Sequence, residues 1–386
     1  MGKNKNGDDE KMINVTKSDL PDLERYVEYL KKIWSSRQLT NDGEFVQLLK
    51  RKLEDYFGVK NLVLVANGTL ALQLALKALD LKGEVITTPF TFSATTNVIL
   101  WEGLTPVFAD IDPDTFNIDP KEVEKKITRK TSAILATHVY GNPCDVDALG
   151  EIAHKYNLKL IYDAAHAFGV EYKDQSVLNY GDLSTLSFHA TKVFSTIEGG
   201  AIVAQSEECF QRLKLLRNHG IKSEEDVVLP GTNAKMNEFQ AVMGLCNLED
   251  IDEKIRLRKR LYERYREQLR GTKGVKFQKI IASKYNYIYM PVCFENIETR
   301  DETYSELIKN GIKPRKYFFP LTVSFSYFKK RGMNLIEKYR LQKAADIANR
   351  VLCLPLYPDL EIAAVDNITS IIKRKLAELC IPKSPS

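Results

Sequence analysis

Between residues 61 and 163 the chain alternates two kinds of apolar pattern, and that alternation limits its fold more than any other feature. Asn61-Leu62-Val63-Leu64-Val65-Ala66 is a short continuous apolar run, the mark of a buried strand, and it stops at Asn67-Gly68-Thr69 before a helical spacing over 70–79. Strand patterns recur over 84–88, 106–111, 132–138 and 158–163, with helical ones over 93–101, 121–127 and 146–156. Such a rhythm predicts an α/β protein, a mostly parallel sheet with helices on both faces. Ligands of such sheets lie beyond the carboxyl ends of the strands. The residues to read are therefore 67–69, 90–92, 138–142, 163–166 and 187–192.

The last of these carries the most chemistry. Apolar alternation ends in Ser187-Phe188-His189-Ala190-Thr191-Lys192, and after Glu198-Gly199-Gly200 a second strand pattern follows over 201–204. Lys192 thus lies on a short connection between two buried strands. An ammonium there is costly to desolvate unless something uses it. A lysine that has lost its proton can form a Schiff base with an aldehyde, as in pyridoxal phosphate chemistry. The alternative is a loop lysine reaching solvent. Asp163 ends an apolar strand on the same sheet edge; it is either a turn cap or the anion that keeps a pyridine nitrogen protonated. At Asn67-Gly68-Thr69 a helix N-terminus with a glycine suits a phosphate, though the same residues also make an ordinary capped turn.

Other classes recede. The 386 residues carry a formal charge of only +5 and no basic run with interleaved aromatics, so no nucleic-acid partner is expected. No apolar run reaches the roughly 18–20 residues of a membrane span, residues 1–11 resemble neither a signal peptide nor an anchor, and a cytoplasmic enzyme with frayed ends is expected. The six cysteines show no paired short spacing and the five histidines no ligand spacing, so neither disulfides nor a metal are expected. A glycine-rich G-x-G-x-x-G turn after the first strand is missing, which disfavours a dinucleotide enzyme.

Outside the alternating region, helical spacing is read over 18–34, with Ser18-Asp19 as candidate caps, over 45–56 up to Gly58, over 207–217, 238–248 and 255–269. Residues 222–230 read as a charged loop. Beyond about Thr272 the rhythm changes to shorter strands and helices, over 285–292, 303–310 and 339–349. The expected organisation is a large α/β domain, residues 13–250, and a smaller α+β domain, residues 251–386.

Taken together in this order, several motifs resemble one family. They are Asn67-Gly68-Thr69, Pro89-Phe90-Thr91-Phe92, His138-Val139-Tyr140-Gly141, Asp163-Ala164-Ala165-His166, the Ser187 to Lys192 run with Glu198-Gly199-Gly200, Asn233-Ala234-Lys235-Met236, and Arg315-Lys316-Tyr317. The chain resembles the nucleotide-sugar aminotransferases of the DegT/StrS type, pyridoxal phosphate enzymes of fold type I, from about Leu39 to Pro355. The resemblance implies that Lys192 is the Schiff-base lysine and proton carrier, that Asp163 partners the pyridinium nitrogen, and that His166 lies near the cofactor's 3-oxygen. It implies that Phe92 stacks on the ring, that Gly68, Thr69 and Ser187 bind the phosphate, and that Asn233 reaches the phosphate of the neighbouring subunit in a homodimer with shared active sites. Arg315 and Tyr317 are the implied substrate contacts.

Related sugar 3-dehydratases carry histidine where Lys192 stands. Within the family the chain is most similar to members that aminate dTDP-4-keto-6-deoxyglucose with L-glutamate, for surface polysaccharides such as O-antigen. Alternatives are amination of a 3-keto sugar and a non-catalytic cofactor-binding regulator. Many relatives place histidine after the Pro-Leu that follows Arg-x-Tyr, whereas here Pro320-Leu321 leads to Thr322.

Overall fold

The computed structural model describes residues 12–329 and 334–380, and the expected frayed ends, residues 1–11 and 381–386, lie outside the described residues. Two helices come first, α1 (Leu23–Ser36) and α2 (Glu44–Phe57). The cap of α1 is Asp22, whose carboxylate accepts from the Arg25 N–H at 3.1 Å, and not Ser18 or Asp19. Asp19 is engaged elsewhere, in an ion pair with Lys254. Gly58 ends α2 at φ 61°, the left-handed conformation that glycine adopts without strain.

The alternating region folds as β1 (Leu62–Val65), α3 (Gly68–Ala78), β2 (Glu84–Thr87), α4 (Ser93–Trp101), β3 (Thr105–Phe108), β4 (Thr131–Thr137), α5 (Val146–Tyr156), β5 (Lys159–Asp163), β6 (Leu183–Ser187) and β7 (Gly200–Ala204). These strands form one seven-stranded sheet in the order β1-β7-β6-β5-β4-β2-β3. All neighbours are parallel except β7, which runs antiparallel to both β1 and β6. The cause is the connection: residues 188–199 return the chain without the crossover helix that a parallel strand requires.

Strand periodicity sorts the core. In β1, Leu62 and Leu64 face the cluster built with α2, while Val63 and Val65 face the one built with α3; in β7, Ala201 and Val203 oppose Ile202 and Ala204 in the same way. Both faces of the sheet are therefore covered, and each fully buried Val, Leu or Ile contributes about 1.5–3 kcal/mol.

The C-terminal part carries a three-stranded antiparallel sheet of Val275–Phe277, Met290–Phe294 and Val351–Leu354, packed with helix Ile297–Lys309, against which helix Ile362–Cys380 lies. Its middle strand starts at Met290, later than the pattern over 285–292 predicts. The preceding residues turn their polar groups onto the sheet-end loops: the Tyr285 hydroxyl donates to the Tyr140 carbonyl at 2.7 Å, and the Asn286 amide donates to the carbonyls of His166 and Phe168. Ile13–Asn14 pairs in parallel with Ile312–Lys313, so its partner lies across the expected boundary at residue 250. A hairpin of Ile221–Ser223 with Asp226–Val227 overlaps the segment expected as a charged loop over 222–230. Among the described residues, no helix is long and apolar enough to cross a membrane.

Candidate active site

The carboxyl ends of β4, β5 and β6 open into a cavity of about 880 Å³. One wall is the start of α3. The Asn67 side chain accepts from the Leu70 N–H at 2.9 Å and the Asn67 carbonyl from Ala71, which leaves the N–H groups of Gly68 and Thr69 without intrahelical partners. Ser187, the last residue of β6, stands against them so closely that a Cβ on Gly68 would lie 2.7 Å from the Ser187 Cβ. Two free N–H groups and the Thr69 and Ser187 hydroxyls thus converge at the positive end of a helix, a cradle for a phosphate.

Lys192 is presented by the loop 188–199. Its neck is closed by the Phe188 N–H to the Gly199 carbonyl at 2.8 Å and the Thr196 N–H to the Phe188 carbonyl at 2.9 Å. Phe188 and Phe194 are buried and anchor the loop on Phe168, with the Phe168–Phe194 ring centroids 4.5 Å apart. An apolar base therefore fixes the loop while Lys192 projects into the cavity. Burial pushes the Lys192 amine down to about 8; Asp163 acts against this and Arg315 adds to it.

Asp163 ends β5 in register with Thr137 of β4. Its Oδ2 accepts from the Thr95 hydroxyl at 2.7 Å and its Oδ1 from the Ala165 N–H at 3.1 Å. Burial pushes this carboxyl above the ordinary range, while Thr95, Ala165 and Lys192 hold it down. Asp163 and Lys192 line one cavity and each senses the other's charge. His166 lies parallel to Phe318, with centroids 5.7 Å apart, and its Nδ1 is buried without a hydrogen-bond partner. Burial, with Lys192 and Arg315, drives its pKa well down, so the ring is neutral.

The mouth of the cavity is different in kind. Phe92, just before α4, is 49% exposed and Trp101, at the end of α4, is 81% exposed, both lining the opening. Arg315 also lines it, its guanidinium 4.0 Å over the buried Tyr317 ring. The residues Gly68, Thr69, Phe92, Asp163, His166, Ser187, Lys192, Arg315 and Tyr317 are thus gathered at one place. Asn233 is not: it is exposed, bridges to Asn218, and accepts from Lys235 Nζ at 2.8 Å. Thr322 is buried at a joint, where the Thr96 hydroxyl donates to it at 3.0 Å and its N–H donates to the Pro89 carbonyl. Sequence reasoning did not single out Thr95, His189 or Glu198. His189 and Glu198 flank Lys192 at the cavity with 3.7 Å between His189 Nε2 and Glu198 Oε1, and both lie inside the motif that the sequence flags.

A compound with a phosphate, an aldehyde and a basic ring nitrogen suits this donor set. The cradle at Gly68 takes the first, the depressed amine of Lys192 the second, and the buried carboxylate of Asp163 the third, while the orphaned Nδ1 of His166 and the exposed face of Phe92 are left for the ring. Fold and site together suit an enzyme built for pyridoxal phosphate.

The chain belongs to the DegT/DnrJ/EryC1/StrS aminotransferase family, whose model matches residues 22–373. It is 45% identical over 367 residues to a dTDP-4-amino-4,6-dideoxy-D-glucose transaminase of Shigella dysenteriae, covering 94% of this chain and 99% of the relative. A transaminase of the same description from Escherichia coli is 43% identical over 371 residues, covering 95% of this chain and 100% of the relative. Among solved structures, DesI in the presence of its TDP-sugar product matches with a TM-score of 0.89 at 33% identity, over 95% of this chain and 93% of that one.

Proposed function

We propose that this protein moves an amino group from L-glutamate to dTDP-4-keto-6-deoxyglucose, giving dTDP-4-amino-4,6-dideoxyglucose, with pyridoxal phosphate as cofactor. The observation that carries the reading is the pairing of a depressed amine and a buried carboxylate on one cavity, beside a phosphate cradle. The choice of sugar is supported by the relatives of 45% and 43% identity.

The bound cofactor supplies an electron sink next to the nitrogen being transferred. The residues of the chain do the rest. Gly68, Thr69 and Ser187 hold the phosphate and so fix the ring. Phe92 would cover one ring face. Asp163 keeps a proton on the ring nitrogen, a task that needs an anion where water is excluded. His166, neutral, lies beside the ring without adding charge. Lys192 would hold the cofactor's aldehyde through Nζ, and its amine, when free, would act as the general base that moves a proton at the substrate carbon. Its depressed pKa supplies the free base near neutral pH. Arg315 offers a planar cation to the anionic part of the substrate, and Tyr317 supports it from below.

The working form in this reading is a homodimer in the cytoplasm. Its support is that Asn233, exposed and outside its own cavity, is available to a second copy, and that the cavity mouth leaves Trp101 uncovered in a lone chain. The product would serve as a sugar donor for a surface polysaccharide such as O-antigen.

The test is to incubate the purified protein with cofactor, glutamate and a panel of dTDP- and GDP-linked 3-keto and 4-keto sugars, reading products by mass and NMR. Amination at C4 of the dTDP sugar is the expected result. Amination only at C3 overturns the sugar assignment, and no amination with any donor supports a cofactor-binding regulator.

A further inference from the structure

Behind Asp163 lies a feature that neither the phosphate cradle nor the lysine loop explains. Thr95 occupies the first turn of α4, where a threonine hydroxyl ordinarily bonds a carbonyl of its own helix or turns to solvent. Here it is wholly buried and reaches across to the Asp163 Oδ2 at 2.7 Å. The Thr91 hydroxyl lies 2.8 Å from that of Thr95, and the Thr137 hydroxyl 3.0 Å from that of Thr91. All three are buried. Thr91 and Thr95 are four residues apart across the start of α4, and Thr137 joins them from the end of β4, 46 positions away from Thr91.

The direction of this chain follows from counting protons. A hydroxyl has one hydrogen, and an ionised carboxylate only accepts. Thr95 spends its hydrogen on Asp163, so Thr91 donates to Thr95, and Thr137 in turn donates to Thr91. Every O–H dipole in the chain then points at the carboxylate, and such series polarise one another.

We propose that Thr95, Thr91 and Thr137 are positioning residues for Asp163, a one-way series of hydroxyl donors that holds the carboxylate as an acceptor and fixes the orientation of Oδ2. The proposal rests on the reading of Asp163 as the partner of a pyridine nitrogen. It deepens that reading by naming what keeps the proton on the ring and not on the acid. Thr95 lies outside the cavity lining, whereas Thr91 and Thr137 reach the cavity beside Asp163.

The experiment uses holoenzyme loaded with pyridoxal phosphate carrying nitrogen-15 in the ring, with the ring-nitrogen chemical shift read alongside kcat. Thr95→Val keeps the shape and removes the donor. It is expected to move the signal from the protonated toward the unprotonated position as the proton passes to Asp163, and to lower kcat about 10- to 100-fold, the scale of one hydrogen bond to a charged group. Thr95→Ser restores both. Thr137→Val, at the far end, moves the signal in the same direction by less and serves should Thr95→Val fail to fold. An unchanged nitrogen signal in a folded Thr95→Val or Thr137→Val holoenzyme overturns the proposal, even if kcat falls, since a merely structural role would have that signature. A wild-type protein that binds no cofactor, or binds it with an unprotonated ring nitrogen, overturns the underlying reading instead.

Discussion

The floor and the mouth of the cavity are built on opposite principles. At the floor, Asp163, His166 and the threonines are buried, and Asp163 is held by named donors from neighbouring elements. At the mouth, Phe92 and Trp101 stand 49% and 81% exposed, and Arg315, His189 and Glu198 are likewise exposed. A charge fixed in a dry site acts strongly and needs no rearrangement. In the proposed reading the exposed aromatics and arginine meet the substrate, so that substrate choice can change there without disturbing the chemistry below. The difference teaches that reaction class and substrate are separable in this fold.

Four substitutions or measurements break or sharpen that contrast, the largest effect first. Asp163→Asn removes the floor's fixed anion, and kcat measured with saturating cofactor is expected to fall about 10²- to 10³-fold, the scale of losing one preorganised electrostatic partner. A fall of less than tenfold would make the floor no more demanding than the mouth. Arg315→Leu is expected to raise KM for the nucleotide sugar about 10- to 100-fold, as loss of a charge-assisted contact does. The glutamate half-reaction, followed by stopped-flow absorbance, should stay close to wild type. Phe92→Ala gives up a ring-stacking partner, and cofactor titration should show roughly 2- to 10-fold weaker binding.

The smallest effect is one of pH. Lys192 captures an aldehyde only as the free amine, and burial sets its pKa at about 8, so the rate of cofactor uptake by the apo-protein should rise with pH and level off above about 8. Because Arg315 depresses this amine and Asp163 supports its charge, Arg315→Leu should move the midpoint up and Asp163→Asn should move it down. A profile still rising toward 10 would describe an exposed lysine.

Much of the floor was legible in the sequence because its residues follow strands directly. Gly68, Asp163, Ser187 and Lys192 sit just beyond runs whose apolar character marks them as buried, and the helices at 93–101, 146–156 and 207–217 have the limits that patterning predicts. Strand direction was not legible: the apolar run of β7 has the same appearance whichever way it runs, and the loop without a helix decides. Nor were Thr91, Thr95 and Thr137, since nothing local distinguishes a threonine that bonds a carboxylate 68 positions away from one that caps its own helix. The aromatic run from Tyr285 to Tyr289 reads as a strand because tyrosine and isoleucine favour sheets. It folds irregularly because its polar groups bind the loops at the sheet edge.

The central claim is that Lys192 holds the cofactor. Borohydride reduction of the holoenzyme, followed by digestion and mass mapping, should leave a pyridoxyl phosphate adduct on the peptide containing Lys192 and on no other. An adduct on a different lysine, or cofactor that washes away after reduction, would contradict it.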